Sequence, residues 1–150
     1  MAVMRDLPYG QFNFLVDLGD GNTEGPDAGF EECSPFTSTL VVAEYRNGND
    51  RENTVRKITG LEKVDDVTLK RGVIGSLRLY NWFNDVRNGN VSGYRTVTIS
   101  LQNEDHTAIA MTWKLFRARP IKYSAGPLNG KGTDVAMEEL TLAYERLEME

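Results

Sequence analysis

The stretch VDDVTLKRGVIGSLRLYNWFNDVRNG, residues 64–89, changes its periodicity halfway along. Val67 and Leu69 alternate with Asp66, Thr68 and Lys70, a period of two that marks a strand with one apolar face. Lys70-Arg71 reads as the solvated end of that strand, and Gly72 follows. Beyond it, Leu79, Trp82, Phe83 and Val86 recur at three- and four-residue steps, which places them on one face of a helix. The Ser76 hydroxyl can accept from an orphan N–H of the first turn. Asn88-Gly89 can end the helix, because both residue types tolerate the left-handed region. A helix of about three turns is marginal alone in water. Its aromatic face must therefore pack on a sheet, and the surrounding sequence must supply one.

The chain of 150 residues fits a single domain, 1–150, with one core. A formal charge of −5 argues against a dedicated nucleic-acid binder. No apolar run approaches the roughly 20 residues that span a bilayer, so no membrane anchor is expected. The opening MAVMRDLPYG lacks the apolar centre of a signal peptide, which makes synthesis in the cytoplasm the expectation. The lone Cys33 forms no intrachain disulfide and reads as a small core residue.

Outward from the central stretch the pattern is strand-rich. Pro8 keeps residues 1–9 irregular. Phe12, Phe14, Val16 and Leu18 share one side of an expected strand, and Gly19-Asp20-Gly21-Asn22 begins a polar loop reaching Asp27. Phe30 to Pro35 and Leu40 to Tyr45 read as further strands. Val55 to Ile58 is extended, with Gly60 breaking it. Between these last two lies the most polar stretch of the chain: Arg46, Asn47, Gly48, Asn49, Asp50, Arg51, Glu52 and Asn53. With no apolar anchor, it should project into solvent or towards a partner. After the helix, Val97, Ile99 and Leu101 alternate with polar Thr96, Thr98 and Ser100. A turn at residues 103–106 leads to Ile109, Met111, Trp113 and Leu115, the second arm of a hairpin. Ala118-Arg119-Pro120 should end that arm. Residues 133–150 fit a helix through Ala136, Leu140, Ala143 and Leu147, and a strand through Ala136, Glu138, Leu140 and Leu142. Local propensity leans to helix and the β-rich surroundings to strand.

Residues able to carry bond chemistry are sparse. His106 sits in an acidic turn with no second His to join it. Asp65-Asp66 and Glu31-Glu32 are neighbours whose side chains diverge in a strand. Asn129-Gly130-Lys131-Gly132-Thr133 lacks the spacing of a phosphate loop. No catalytic residue, metal or cofactor is implied. A different anomaly stands out: many strands and one short helix to cover them. Uncovered strand edges invite pairing with another chain, so either a barrel closes or subunits complete one another.

The chain resembles the tail-tube proteins of contractile phages and the inner-tube proteins of extracellular contractile injection systems. The resemblance runs from FNFLVDL through Gly29-Phe30-Glu31-Glu32-Cys33, Val42-Ala43-Glu44-Tyr45-Arg46-Asn47-Gly48 and Val55-Arg56-Lys57-Ile58-Thr59-Gly60-Leu61 to Val67-Thr68-Leu69-Lys70-Arg71-Gly72. It continues in Ala110-Met111-Thr112-Trp113-Lys114-Leu115, Ala118-Arg119-Pro120 and the segment from Val135 to Glu145. Cys33-Ser34-Pro35-Phe36 departs from the Ser-Gly-Leu common in the family. The resemblance implies a mainly β (α+β) fold, a two-sheet β-barrel-like body with one flanking α-helix, and a C-terminal strand. It implies a structural, non-enzymatic subunit of hexameric rings stacked into a hollow tube. The implied partners are further copies, a sheath, baseplate or spike and terminator proteins, and a cargo of effector protein or phage DNA. The implied location is a phage tail or contractile particle, inside or released from the bacterium. A tube-initiator or baseplate-hub paralogue shares these features, and a small β-barrel binding module is the reading from another class. Arg46, Asn47, Asn49, Asp50, Arg51, Glu52 and Asn53, with Lys70 and Arg71, are the expected inter-ring or intersubunit contacts. Thr96, Thr98 and Ser100 are the expected lumen or interface face.

Overall fold

The computed structural model describes residues 2–150. Its strands are β1 (Phe14–Asp17), β2 (Glu32–Cys33), β3 (Ser38–Tyr45), β4 (Arg56–Val64), β5 (Val67–Gly72), β6 (Arg95–Gln102), β7 (Ile109–Ala125), β8 (Met137–Ala143) and β9 (Arg146–Met149). The α-helix, α1, spans Arg78–Arg87 between β5 and β6. The hydrogen-bonded order is β1-β6-β7-β8-β5-β2, with β9 beside β7, while among the described residues β3 and β4 pair only with each other.

The 17-residue β7 is the hinge of this path. Its first half pairs with β6 and β9, and its second half with β8. The bend falls at Arg117, whose φ of +53° accompanies a register shift against β6. Val16, Val97, Ile99 and Leu115 from one layer meet Val67, Leu69, Leu140 and Leu142 from the other in a single core. Period-two alternation does this directly: along β5 and β8 every second residue is buried. The result is the expected two-sheet, barrel-like body with a flanking helix, and it stays open between β1 and β2.

The helix packs against β7. Leu79 and Trp82 are buried, and Trp82 Nε1 donates to the Gly93 carbonyl at 2.5 Å. The Ser76 hydroxyl accepts from the Arg78 N–H at 3.3 Å, and Gly89 follows the helix at φ +85°. The C-terminal segment is strand, as β8 and β9. Pairing to β5 and β7 on both edges of β8 overrides its helical leaning.

Four local expectations need correction. Gly60 does not break its strand. It lies inside β4 opposite a register shift, where a Cβ would stand 3.1 Å from the Val41 carbonyl, so glycine lets the strand bulge. Pro120 does not end β7. The last β6 partner of β7 is opposite Ala118, so one edge of β7 is free of β6 where the proline sits. The first strand is shorter than its alternation suggested, and Phe12 is exposed. The expected strand from Phe30 to Pro35 contracts to Glu32–Cys33.

Candidate assembly surface

The β3–β4 hairpin is the odd part of the molecule. Every residue of β3 is exposed, and so is every residue of β4 except the half-buried Val64. Register places Ala43 opposite Ile58 and Tyr45 opposite Arg56 on one face, with Val42 opposite Thr59 and Glu44 opposite Lys57 on the other. Both faces thus carry apolar side chains left exposed by the described residues of this chain. Leu61 is 79% exposed, Leu40 56% and Ile58 54%. An isolated two-stranded hairpin is marginal in water, and a hairpin with apolar residues on both faces needs a cover.

The tip of this hairpin is the polar stretch 46–53. It is organised by its own polar groups. The Asn47 N–H donates to the Asp50 carboxylate at 3.1 Å, and Arg46 donates to the carbonyls of Asp50 and Glu52 at 2.9 and 3.1 Å. Tyr45 Oη donates to Asn47 Oδ1 at 2.5 Å, and Asp50 lies 3.6 Å from Arg56. Asn49, Arg51, Glu52 and Asn53 are exposed. The tip is therefore a shaped projection, fixed without core contact.

The other expected contact residues separate. Lys70 lies on the outer face of β5, between Glu139 at 3.5 Å and Glu32 at 3.8 Å. Arg71 is not a surface contact. It is 2% exposed, and Nε donates to Glu138 Oε1 at 2.6 Å. The physical reason is parity. Arg71 follows Val67 and Leu69 on the inward face of β5, and β8 sets Glu138 directly opposite. Its Nη1 donates to the Asp27 carbonyl at 2.8 Å, and Arg78 donates to that same carbonyl at 3.0 Å. Arg78 also pairs with Asp20. The two arginines clamp the loop after β1 onto the body. Tyr123 Oη donates to the other Glu138 oxygen at 2.5 Å. That bond, with burial and the Glu138 charge, pushes the phenol up to about 12.

On β6, Thr96 is exposed, Thr98 half-buried and Ser100 buried at 8% exposure. Ser100 sits across from Thr112 of β7 on the outward face, which also carries Lys114, Glu148 and Glu150. This face is mixed, since Leu15 of β1 lies opposite Ser100 and Phe116 shares the parity of Lys114. The arm before β1 crosses one end of it. The Val3 N–H donates to the Ala110 carbonyl at 2.9 Å, and Arg5 pairs with Glu104 at 2.5 Å while lying 3.7 Å over the Tyr9 ring. The bond from Arg5 draws the Glu104 carboxyl down to about 2.

Cys33 is half-buried against the core beside Leu69, and desolvation pushes its thiol up to about 11, which favours the protonated form at neutral pH. His106 lies exposed in its turn at φ +63°, near Gln102. The 129–133 turn is exposed and closes on Asn129. No metal-binding group of His, Cys, Asp and Glu occurs among the described residues, and no described helix is long and apolar enough to cross a membrane.

The body has unpaired edges at β1, β2 and β9, and the hairpin is covered by no described residue of its own chain. The chain belongs to the T4-like virus tail tube protein gp19 family, whose model matches residues 10–148. Among solved structures, the fold is similar to a chain in the cryo-EM structure of an extracellular contractile injection system, the PVC sheath/tube terminator in the extended state. The TM-score is 0.84 at 27% identity, over 97% of this chain and 98% of that one. It is similar to a chain of the PVC sheath-tube complex in the extended state, with TM-score 0.82 and 28% identity over 95% and 91% of the two chains. A chain of the anti-feeding prophage tube-terminating cap shares the fold at TM-score 0.83 and 24% identity, over 100% and 95%. No curated protein matches the chain. The resemblance read from the motifs is therefore the family itself, a structural component of tail tubes.

Proposed function

We propose that this chain is the inner-tube subunit of a contractile injection particle or phage tail. Six copies form a ring, and rings stack into a hollow tube within a sheath. Contraction drives the tube through a target envelope, and its lumen conveys cargo, effector protein or DNA. The protein supplies stiffness and a passage rather than bond chemistry. The observation that carries this is the β3–β4 hairpin, apolar on both faces and bare in its own subunit. Lone burial of such a hairpin requires another chain, and relatives of this chain occur within sheath-tube assemblies.

In this reading the tip from Arg46 to Asn53, with Lys70 beside the β2 edge, meets neighbouring subunits. The polar face of β6 that carries Thr96, Thr98 and Ser100 lines the lumen or an intersubunit surface. Negative-stain microscopy of the purified full chain tests the central idea. Rings or tubes are expected, and a monomer at every concentration and salt condition would overturn it. Shortening residues 46–53 to a two-residue turn is expected to shorten tubes; unchanged tube length removes the tip from the inter-ring contact. The second reading is a subunit at a tube end, favoured by the relative in the terminator assembly. Rings that never stack, with the tip intact, would select it.

A further inference from the structure

The body fails to close between two strands. β1 is paired on one side only, by β6, and β2 on one side only, by β5. Between these edges lies a groove of about 800 Å³. Its lining includes Phe14, Phe36, Ile99, Leu101 and Trp113, and the Phe36 ring lies 4.9 Å from that of Trp113. Glu31 and Glu32 stand on its rim, both exposed. A slot with an apolar floor, an unpaired strand edge on either side (four residues in β1, two in β2) and an acidic rim fits an extended basic strand.

The molecule carries a matching strand. β4 has an unpaired outer edge, apolar Ile58 and Leu61, and Arg56, Lys57 and Lys63 against the single acid Glu62. It does not fill the groove of its own subunit, because both its faces are exposed. At roughly 3.3 Å per residue the eight residues of β3 set the hairpin tip about 25 Å out, and β4 returns from there to Val64, which packs against the core. We propose that the groove between β1 and β2 receives β4 of a second copy of this chain, which enters as an added strand with its basic side chains against Glu31 and Glu32. This rests on the self-assembly argued above and goes further, because it names the receiving surface, the entering strand and the charges that set their polarity.

Cross-linking of mixed single-cysteine subunits tests it. Cys33 lines the groove, so Cys33→Ser is the background for all variants. Glu31→Cys subunits mixed with Lys57→Cys subunits under assembling conditions and oxidised with diamide should give a mixed disulfide dimer. The expected yield is at least tenfold above either variant alone. It should equally exceed the control pair of Lys57→Cys with Ser124→Cys, which lies on β7 in the other part of the sheet. Should Glu31→Cys fail to fold, Gln11→Cys, also on the groove lining, takes its place. A yield no higher than the control, with rings or tubes visible by negative stain, overturns the groove assignment and leaves the tube reading intact. Absence of both cross-links and particles overturns both. A charge swap gives a second readout. Glu31→Lys with Glu32→Lys should cut assembly at least tenfold, and mixing with Lys57→Glu, Lys63→Glu subunits should restore it. Failure of the mixture to assemble, while each variant remains folded by circular dichroism, counts against the proposal.

Discussion

β5 with β8 and β3 with β4 are two antiparallel pairs of similar length and similar apolar content, and they meet opposite fates. In the first pair, Val67, Leu69, Leu140 and Leu142 are fully buried. In the second, Leu40, Val42, Ile58 and Leu61 face solvent. The difference lies in what stands beside them. β5 and β8 have a facing layer formed by the bend of β7, whereas β3 and β4 have only each other. Apolar pattern specifies that a strand will be covered; topology specifies by whom. Here one pair is covered within the chain and the other stands bare.

The contrast can be broken from the body side first. Arg71→Met should be the most damaging change, because it leaves Glu138 buried without its counter-charge. Loss of one partner of a buried pair costs about 3–5 kcal/mol, measurable by urea unfolding of the dispersed subunit. Leu140→Ala removes a fully buried side chain and should cost about 2–5 kcal/mol in the same assay. If either proves neutral, the β5–β8 core is not the stabilising centre of the fold.

A third test uses pH. The Tyr123 phenol is raised from 10 to about 12 in the folded protein. A raised pKa stabilises the fold fully below the unfolded value and is lost as pH climbs through the folded one. The wild type should therefore exceed Tyr123→Phe in stability below pH 10, and the two should converge by about pH 12. Parallel curves across that range would detach Tyr123 from Glu138. At the acid end the sign reverses. Glu104 is lowered from 4.5 to about 2, so its hold on Arg5 persists above pH 4.5 and fades towards pH 2. The protection factor of the Val3 amide, its exchange rate set against the intrinsic rate at the same pH, should fall over that window, and Arg5→Ala should abolish the change.

The smallest effect on the isolated subunit should come from the hairpin. Leu61→Ala lies outside the core and should shift unfolding of the dispersed subunit by no more than about 0.5 kcal/mol. The same change should reduce assembly, read by sedimentation. A Leu61→Ala subunit destabilised as much as Leu140→Ala would erase the distinction between the two pairs.

Much of this was legible from parity and period. The strands at Val67, Val97 and Ile109, and the helix face of Leu79 and Trp82, follow from alternation because each buries one side only. Arg71 reads as a solvated end by its charge, although its parity with Val67 and Leu69 sets it inward. The same parity set Glu138 with Leu140 and Leu142. Two opposite charges, each continuing an apolar face, are the signature of a buried pair, and charge alone concealed it. Gly60 and Pro120 misled for another reason. Each is a breaker by local chemistry, but a register shift admitted the glycine and a free edge admitted the proline. Those conditions depend on neighbours distant in sequence. The groove between β1 and β2 was not legible at all, since an unpaired edge is a property of the sheet order and not of any residue.

β7 also decides how the subunit bears force. Its 17 residues belong to both layers, so the layers are joined by peptide bonds as well as by packed side chains. A pull along β7 loads the ladders to β6, β8 and β9 in shear, with many hydrogen bonds strained together instead of opening one at a time. A subunit joined in this way is expected to yield as a unit under such a pull instead of peeling apart layer by layer.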